Sequence, residues 1–144
     1  MLLRRLIVLL LPTITSAHRW LVQVSGGRLG GSVLGFHFLQ LENRGRRSGK
    51  LYRTPLLYVP DEGTFLVAAS NAGQDHAPAW WLNLRESPDT AVQIGSERIA
   101  VRAERLAGEE EAEMWAKMQA AWPLFDAYRA GTSRSIPLVR LHPR

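Results

Sequence analysis

Arg53-Thr54-Pro55-Leu56-Leu57-Tyr58-Val59-Pro60-Asp61-Glu62-Gly63-Thr64-Phe65-Leu66-Val67-Ala68-Ala69-Ser70 is the stretch that decides the fold class. Two apolar strands, 53–59 and 64–70, flank Pro60-Asp61-Glu62-Gly63. Proline presets φ, aspartate bonds to nearby backbone and glycine accepts positive φ, so the four residues predict a hairpin turn. Further out the pattern repeats. Residues 90–94 and 98–103 form another pair around Gly95-Ser96-Glu97, and 36–42 alternates in its second half. Residues 136–141 make a last short strand, with Pro137 at an edge or a strand start. Six short strands at hairpin spacing predict a small barrel or closed sheet.

Helices interrupt this pattern. Residues 78–85 follow a polar loop, with Pro78 in the first turn. Residues 108–121 open with Glu109, Glu110 and Glu111, which suit the positive end of a helix dipole. Met114, Trp115, Met118 and Ala121 make an apolar stripe at helical spacing, read as core. Trp122-Pro123 ends that helix and 124–129 forms another. The class is therefore α+β, mainly β with peripheral helices.

The chain has 144 residues, enough for a single buried core. Hydrophobic residues at 46% and charged residues at 22% are those of a globular protein. Cysteine is missing, which removes disulfides, thiolate metal sites, iron–sulfur clusters and a cysteine nucleophile. The longest apolar run, 6–12, is far short of the roughly 20 residues that span a bilayer. Net charge is +5, unevenly placed. Residues 1–53 carry nine basic side chains against Glu42 alone, whereas 54–144 carry nine basic and twelve acidic ones. A local basic excess points to an anionic partner: a phosphate-bearing cofactor, an acidic lipid surface or nucleic acid. No nucleic-acid-binding signature accompanies it, so no nucleic-acid partner is expected.

The chain divides into residues 1–24, read as an N-terminal helix, and 25–144, the β domain. Arg4 and Arg5 precede an apolar run, and Thr15, Ser16 and Ala17 follow it. Three readings stay open: a signal peptide, an interfacial helix, and a helix that caps the protein's own core. Ser25-Gly26-Gly27-Arg28-Leu29-Gly30-Gly31 lacks the lysine and spacing of a P-loop and reads as a hinge.

The common catalytic constellations are poor. His18, His37, His76 and His142 are scattered, and none has a partner at i+4, so no metal site is expected. A Gly-x-Ser-x-Gly elbow is missing, and Ser70, Asp75 and His76 make a weak triad. A bound cofactor would then carry the hard chemistry. The informative segment is Arg44-Gly45-Arg46-Arg47-Ser48-Gly49-Lys50, between two strands. A glycine-containing turn can aim backbone N–H groups at an anion, and guanidinium forks bind phosphate or carboxylate. A solvated basic hairpin is the alternative. Ala68-Ala69-Ser70-Asn71 ends a strand in small residues that a flat ring could approach, and Trp80-Trp81 form either core or pocket wall.

Together these segments resemble the deazaflavin-dependent nitroreductase family, the F420H2-dependent oxidoreductases of actinobacteria. The resemblance rests on residues 25–30, Gly45 to Gly49 followed by Pro55-Leu56, Ala68-Ala69-Ser70, residues 78–84, and Thr132-Ser133-Arg134-Ser135-Ile136-Pro137. It implies a split β-barrel of the flavin-reductase and pyridoxamine-oxidase kind, with reduced coenzyme F420 as cofactor. It places the phosphate and acidic tail of F420 at Arg46, Arg47, Ser48, Gly49, Lys50 and Leu51. Ala68, Ala69, Ser70 and Asn71 would line the ring, while Ala79, Trp80, Trp81, Leu82 and Asn83 close the ring and linker region and Phe125 adds a further contact. Trp122, Phe125 and Tyr128 would form the substrate pocket, with Tyr128 and Ser70 as catalytic residues.

Relatives carry tyrosines where this chain has Trp122 and Phe125, a change that favours quinone-like over nitroimidazole acceptors. Many relatives also carry arginine at the position of Tyr52. The resulting expectation is a cytoplasmic F420H2-dependent reductase passing hydride to a small quinone-like or nitroaromatic acceptor. Peripheral contact with the inner membrane face through residues 1–22 is one reading of its N-terminus. The alternatives are a non-catalytic binder of F420 or of a lipid-like ligand, and an FMN or haem protein on a related barrel.

Overall fold

The 53–70 hairpin forms with a difference in its first arm. In the computed structural model, which describes residues 32–33 and 36–144, that arm is two strands rather than one. Strand β3 (Leu51–Leu57) pairs with β2 (Phe36–Arg44), whereas β4 (Val59–Asp61) pairs with β5 (Thr64–Ala68). The change of partner falls at Tyr58. Its N–H donates to the His37 carbonyl at 2.9 Å, and its buried ring meets Phe65 edge-on at 5.4 Å. The turn is also tighter than the four-residue reading. Pro60 and Asp61 still pair with Phe65 and Thr64, which leaves Glu62-Gly63 with φ values of 47° and 78°. Two positive φ values in a two-residue loop match the right-handed twist of the arms.

The remaining strands are β1 (Ser32–Val33), β6 (Asp89–Ile94), β7 (Glu97–Arg105) and β8 (Leu138–Pro143). Among the described residues, eight antiparallel strands thus form one sheet instead of the six expected. Its order is β1-β2-β6-β7-β8-β5-β4, with β3 pairing β2 as a branch at the β2 end. Only Tyr58 separates β3 from β4, at opposite ends of this order, so the sheet must curl until its edges nearly meet. The result is a split barrel.

The two faces of the sheet have separate cores. Leu39 and Leu41 of β2 alternate inward with Val67, Val92, Val101, Val139 and Leu141. Helix α1 (Ala79–Glu86) closes this interior with Trp80, Trp81 and Leu84. Leu66, Ala68 and Leu138 point the other way. They meet α2 (Gly108–Ala121) through Met114, Trp115 and Met118, and α3 (Leu124–Ala130) through Phe125 and Tyr128. The stripe read as core in residues 108–121 is core, and that helix has the bounds its sequence predicts.

A buried ionic knot ties α2 to the sheet. Asp61 accepts from Lys117 of α2 and, at 2.8 Å, from Arg140 of β8. Arg140 also donates to Glu110 at 2.9 Å. Glu110, expected to complement the helix dipole, is thus also an anchoring residue. Hydrogen bonds from Lys117 and Arg140 hold the Asp61 carboxyl below its ordinary range.

The readings of residues 1–24 as a helix and of 25–31 as a hinge lie outside the described residues. Among the described residues, no helix is long and apolar enough to cross a membrane.

Candidate functional site

The connection between β2 and β3 is a closed loop with its cations at the tip. Gly45 N–H donates to the Lys50 carbonyl and Gly49 N–H to the Gly45 carbonyl, both at 2.8 Å. Lys50 N–H donates to Ser48 Oγ at 3.2 Å. Glycine at both positions suits this geometry. Gly49 has φ of 72°, and a Cβ on Gly45 would lie 2.5 Å from Ser48 Oγ. Arg46, Arg47 and Ser48 are left exposed at the tip.

Helix α1 faces this turn across an open cleft of about 650 Å³. Arg46, Arg47, Ser48 and Leu51 border it from the turn side, and Ala79, Trp80 and Asn83 from the helix. Those seven were among the expected cofactor contacts. Asn43, Gly45, Tyr52, Arg53 and Thr54 complete the wall. Of the tryptophan pair, Trp80 borders the cleft, while Trp81 belongs to the barrel interior 6.3 Å away, ring to ring. Gly49, Lys50 and Leu82 are not on the wall.

A buried amide relay joins the cleft's parts. Asn83 Oδ1 accepts from both the N–H and Nη1 of Arg46, each at 3.1 Å. Asn83 Nδ2 donates to Asn43 Oδ1 at 2.9 Å, and Asn43 Nδ2 donates to Thr54 Oγ1 and the Leu41 carbonyl. Asn43 and Thr54 were not read as site residues from the sequence. One signal for Asn43 was available: it continues the inward positions of Leu39 and Leu41 with a polar side chain.

The turn has little internal compensation. Among the described residues no carboxylate pairs with Arg44, Arg46, Arg47 or Lys50. Arg44 donates to the Gly49 carbonyl, and Lys50 lies 5.5 Å from the Tyr52 ring centroid. Glu42 pairs instead with Arg53 at 3.6 Å and Arg98 at 2.7 Å. Tyr52 and Arg53 alternate along β3, yet both border the cleft, where the Glu42 carboxylate engages the Arg53 guanidinium.

The strand end after β5 and the C-terminal aromatics form a separate neighbourhood. None of Ala68, Ala69, Ser70, Asn71, Trp122, Phe125 and Tyr128 borders the cleft. Ala68 and Ala69 are buried, and Ser70 and Asn71 are half-buried. Asn71, Ala72 and Gly73 then take φ of 46°, 53° and 77° in succession. Arg134 holds this loop. It donates to the carbonyls of Ala69 at 3.1 Å, Ser70 at 2.9 Å and Gln74 at 3.0 Å. Arg134 was read only as one residue of the 132–137 segment, with no role of its own. Gly73 lies against α3, where an added Cβ would be 2.9 Å from the Tyr128 backbone.

In that neighbourhood the Trp122 indole N–H donates to the Tyr128 hydroxyl at 3.3 Å. Burial raises the Tyr128 phenol above its ordinary pKa, and the Trp122 bond partly offsets this. Phe125 packs edge-on against Tyr128 at 5.8 Å, and Trp122 against Phe36 at 4.8 Å. Asp75 accepts from Thr132, and no hydrogen bond links Ser70, Asp75 and His76.

Residues 15–143 match a family model described as F420H(2)-dependent quinone reductase. A protein of Mycobacterium tuberculosis, described as a candidate F420H(2)-dependent quinone reductase, is 43% identical over 106 residues, covering 74% of this chain and 89% of that protein. A solved F420-H2 dependent reductase superposes with a TM-score of 0.67 at 29% identity, over 73% of this chain and 93% of that one. A candidate pyridoxamine 5′-phosphate oxidase from Listeria innocua shares the fold alone, with a TM-score of 0.52 at 13% identity over 74% of this chain and 83% of that one.

Proposed function

Because the chain belongs to the F420H(2)-dependent quinone reductase family, we propose that it reduces a quinone-like acceptor with the cofactor's anionic part seated on the arginine turn and its ring toward the strand end after β5. Membership makes the protein an F420H2-dependent reductase with reduced F420 as its cofactor.

The residues present fit that group. F420 carries a phosphate and an acidic tail, and the cleft offers it two guanidinium groups and a serine hydroxyl with no carboxylate paired to them. This uncompensated cationic tip beside an open cleft is the observation that carries the reading. Arg46 and Arg47 neutralise the tail in charge-assisted bonds, and Ser48 retains its hydroxyl hydrogen for a further acceptor. Trp80 and Tyr52 supply aromatic wall.

Bound F420H2 supplies the hydride. The chain's task is to hold donor and acceptor together and to meet the charge that develops on the acceptor oxygen. At the strand end after β5, where Ala68 and Ala69 are themselves packed in the cores, half-buried Ser70 offers the hydroxyl that a ring edge could meet. The Tyr128 phenol is protonated across the neutral range, and burial raises its pKa further. Its oxygen accepts from Trp122, so its own hydrogen remains to be donated to an acceptor oxygen.

The test is anaerobic mixing of the full chain with F420H2 and menadione, followed optically. Deazaflavin oxidation well above the protein-free rate supports the reading. Tight F420 binding without oxidation makes the protein a binder instead. Stronger binding of FMN than of F420 overturns the cofactor placement.

A further inference from the structure

Asn83 borders the cleft, yet only 4% of its surface is exposed. Its carbonyl oxygen has two lone pairs, and both are occupied by Arg46, one through the main-chain N–H and one through Nη1. Its amide nitrogen donates to Asn43, itself 4% exposed. The orientation of both amides follows from their partners. Two Arg46 donors demand an oxygen, which leaves the Asn83 nitrogen to meet the Asn43 oxygen. The Asn43 nitrogen is then left for Thr54 and the Leu41 carbonyl.

This places one helix side chain in control of both the backbone and the guanidinium of Arg46, 37 residues earlier in the chain. An exposed arginine on a glycine-flanked turn would otherwise sample many rotamers, and ordering it on binding would cost affinity. We propose that Asn83 is a positioning residue that fixes Arg46 before the cofactor arrives, with Asn43 holding Asn83 in turn, rather than a direct contact to the ligand. The inference rests on the reading of the turn as the cradle of the anionic tail.

A double-mutant cycle tests it, with oxidised F420 as the probe and the full chain as the protein. Asn83→Ala and Arg46→Ala are each expected to weaken binding about tenfold, the scale of a lost charge-assisted bond. The double variant should be no weaker than Arg46→Ala. The steepness with which affinity falls with salt should drop equally in both single variants, although Asn83 is uncharged. A side chain that merely stabilises the fold would leave that steepness unchanged. Asn83→Ser carries the same cycle if the alanine variant does not fold.

Additive losses, or a salt dependence kept in Asn83→Ala, overturn the positioning role and leave the cradle intact. Undiminished affinity in Arg46→Ala removes the cradle, and the positioning role with it.

Discussion

Side chains at the arginine turn divide the work by type. Gly45 and Gly49 shape the loop, Asn83 orders Arg46, and Arg47 extends from the tip without an ionic partner among the described residues. Replacing Arg46 and Arg47 together by alanine should weaken F420 binding by ten- to a hundredfold, roughly the loss of one or two charge-assisted bonds, and calorimetric titration reads this directly. Their exposure makes a change in melting temperature unexpected. Tyr52 belongs at the same scale. Its ring borders the cleft and lies 5.5 Å from the Lys50 ammonium. The cationic turn was legible because its residues are contiguous. Asn43 and Thr54 were not, because they reach the cleft through hydrogen bonds to residues distant in sequence.

Among the elements, the loop between β5 and α1 is the most constrained. Two non-glycine residues in left-handed conformation cost of order 1 kcal/mol each, and the Arg134 fork across three carbonyls offsets that cost. Arg134→Lys should not rescue the loop, because an ammonium cannot span three acceptors with a planar fork. Faster amide exchange in residues 69–74 would show the release. Gly73→Ala should destabilise the fold by about 2 kcal/mol or more, from its positive φ and from the close Tyr128 backbone, read as a lower denaturation midpoint. Because Gly73 touches α3, the same substitution should shift Tyr128 and reduce quinone turnover. Helix α2 was readable to the residue: its acidic start, its apolar stripe and its terminating proline are all local. The break at Tyr58 was not, since residues 53–59 read as one continuous strand and the change of partner is decided by strands elsewhere.

For the whole molecule, the Asp61 knot decides how α2 stays on the sheet. Its carboxyl titrates below the ordinary range in the folded state. The stabilisation is therefore full above the unfolded carboxylate pKa and is lost as pH falls through the lower folded value. Melting temperature should decline on acidification below about pH 4, the ordinary carboxylate value. Asp61→Asn should flatten that decline and lower the melting temperature at neutral pH by roughly 5–10 °C, because it leaves Arg140 buried without its main partner. Loss of the knot loosens α2, against which Phe125 packs through Trp115 at 6.0 Å. The effect would reach the C-terminal aromatics but not the arginine turn, so F420 binding should be retained where turnover falls.

The sequence by itself determined the mainly β class, a hairpin turning within Pro60-Asp61-Glu62-Gly63, the bounds of α2 and the charge at residues 44–50. Each follows from local chemistry: turn residues, period and contiguous cations. Only the tertiary structure decided that β3 and β4 part at Tyr58, and that Asn83 meets Arg46 while Arg134 meets the strand end. Those pairings join residues 37 and more than 60 positions apart. Propensity acts over a few neighbours, whereas packing and buried hydrogen bonds act across whatever the closed sheet brings together.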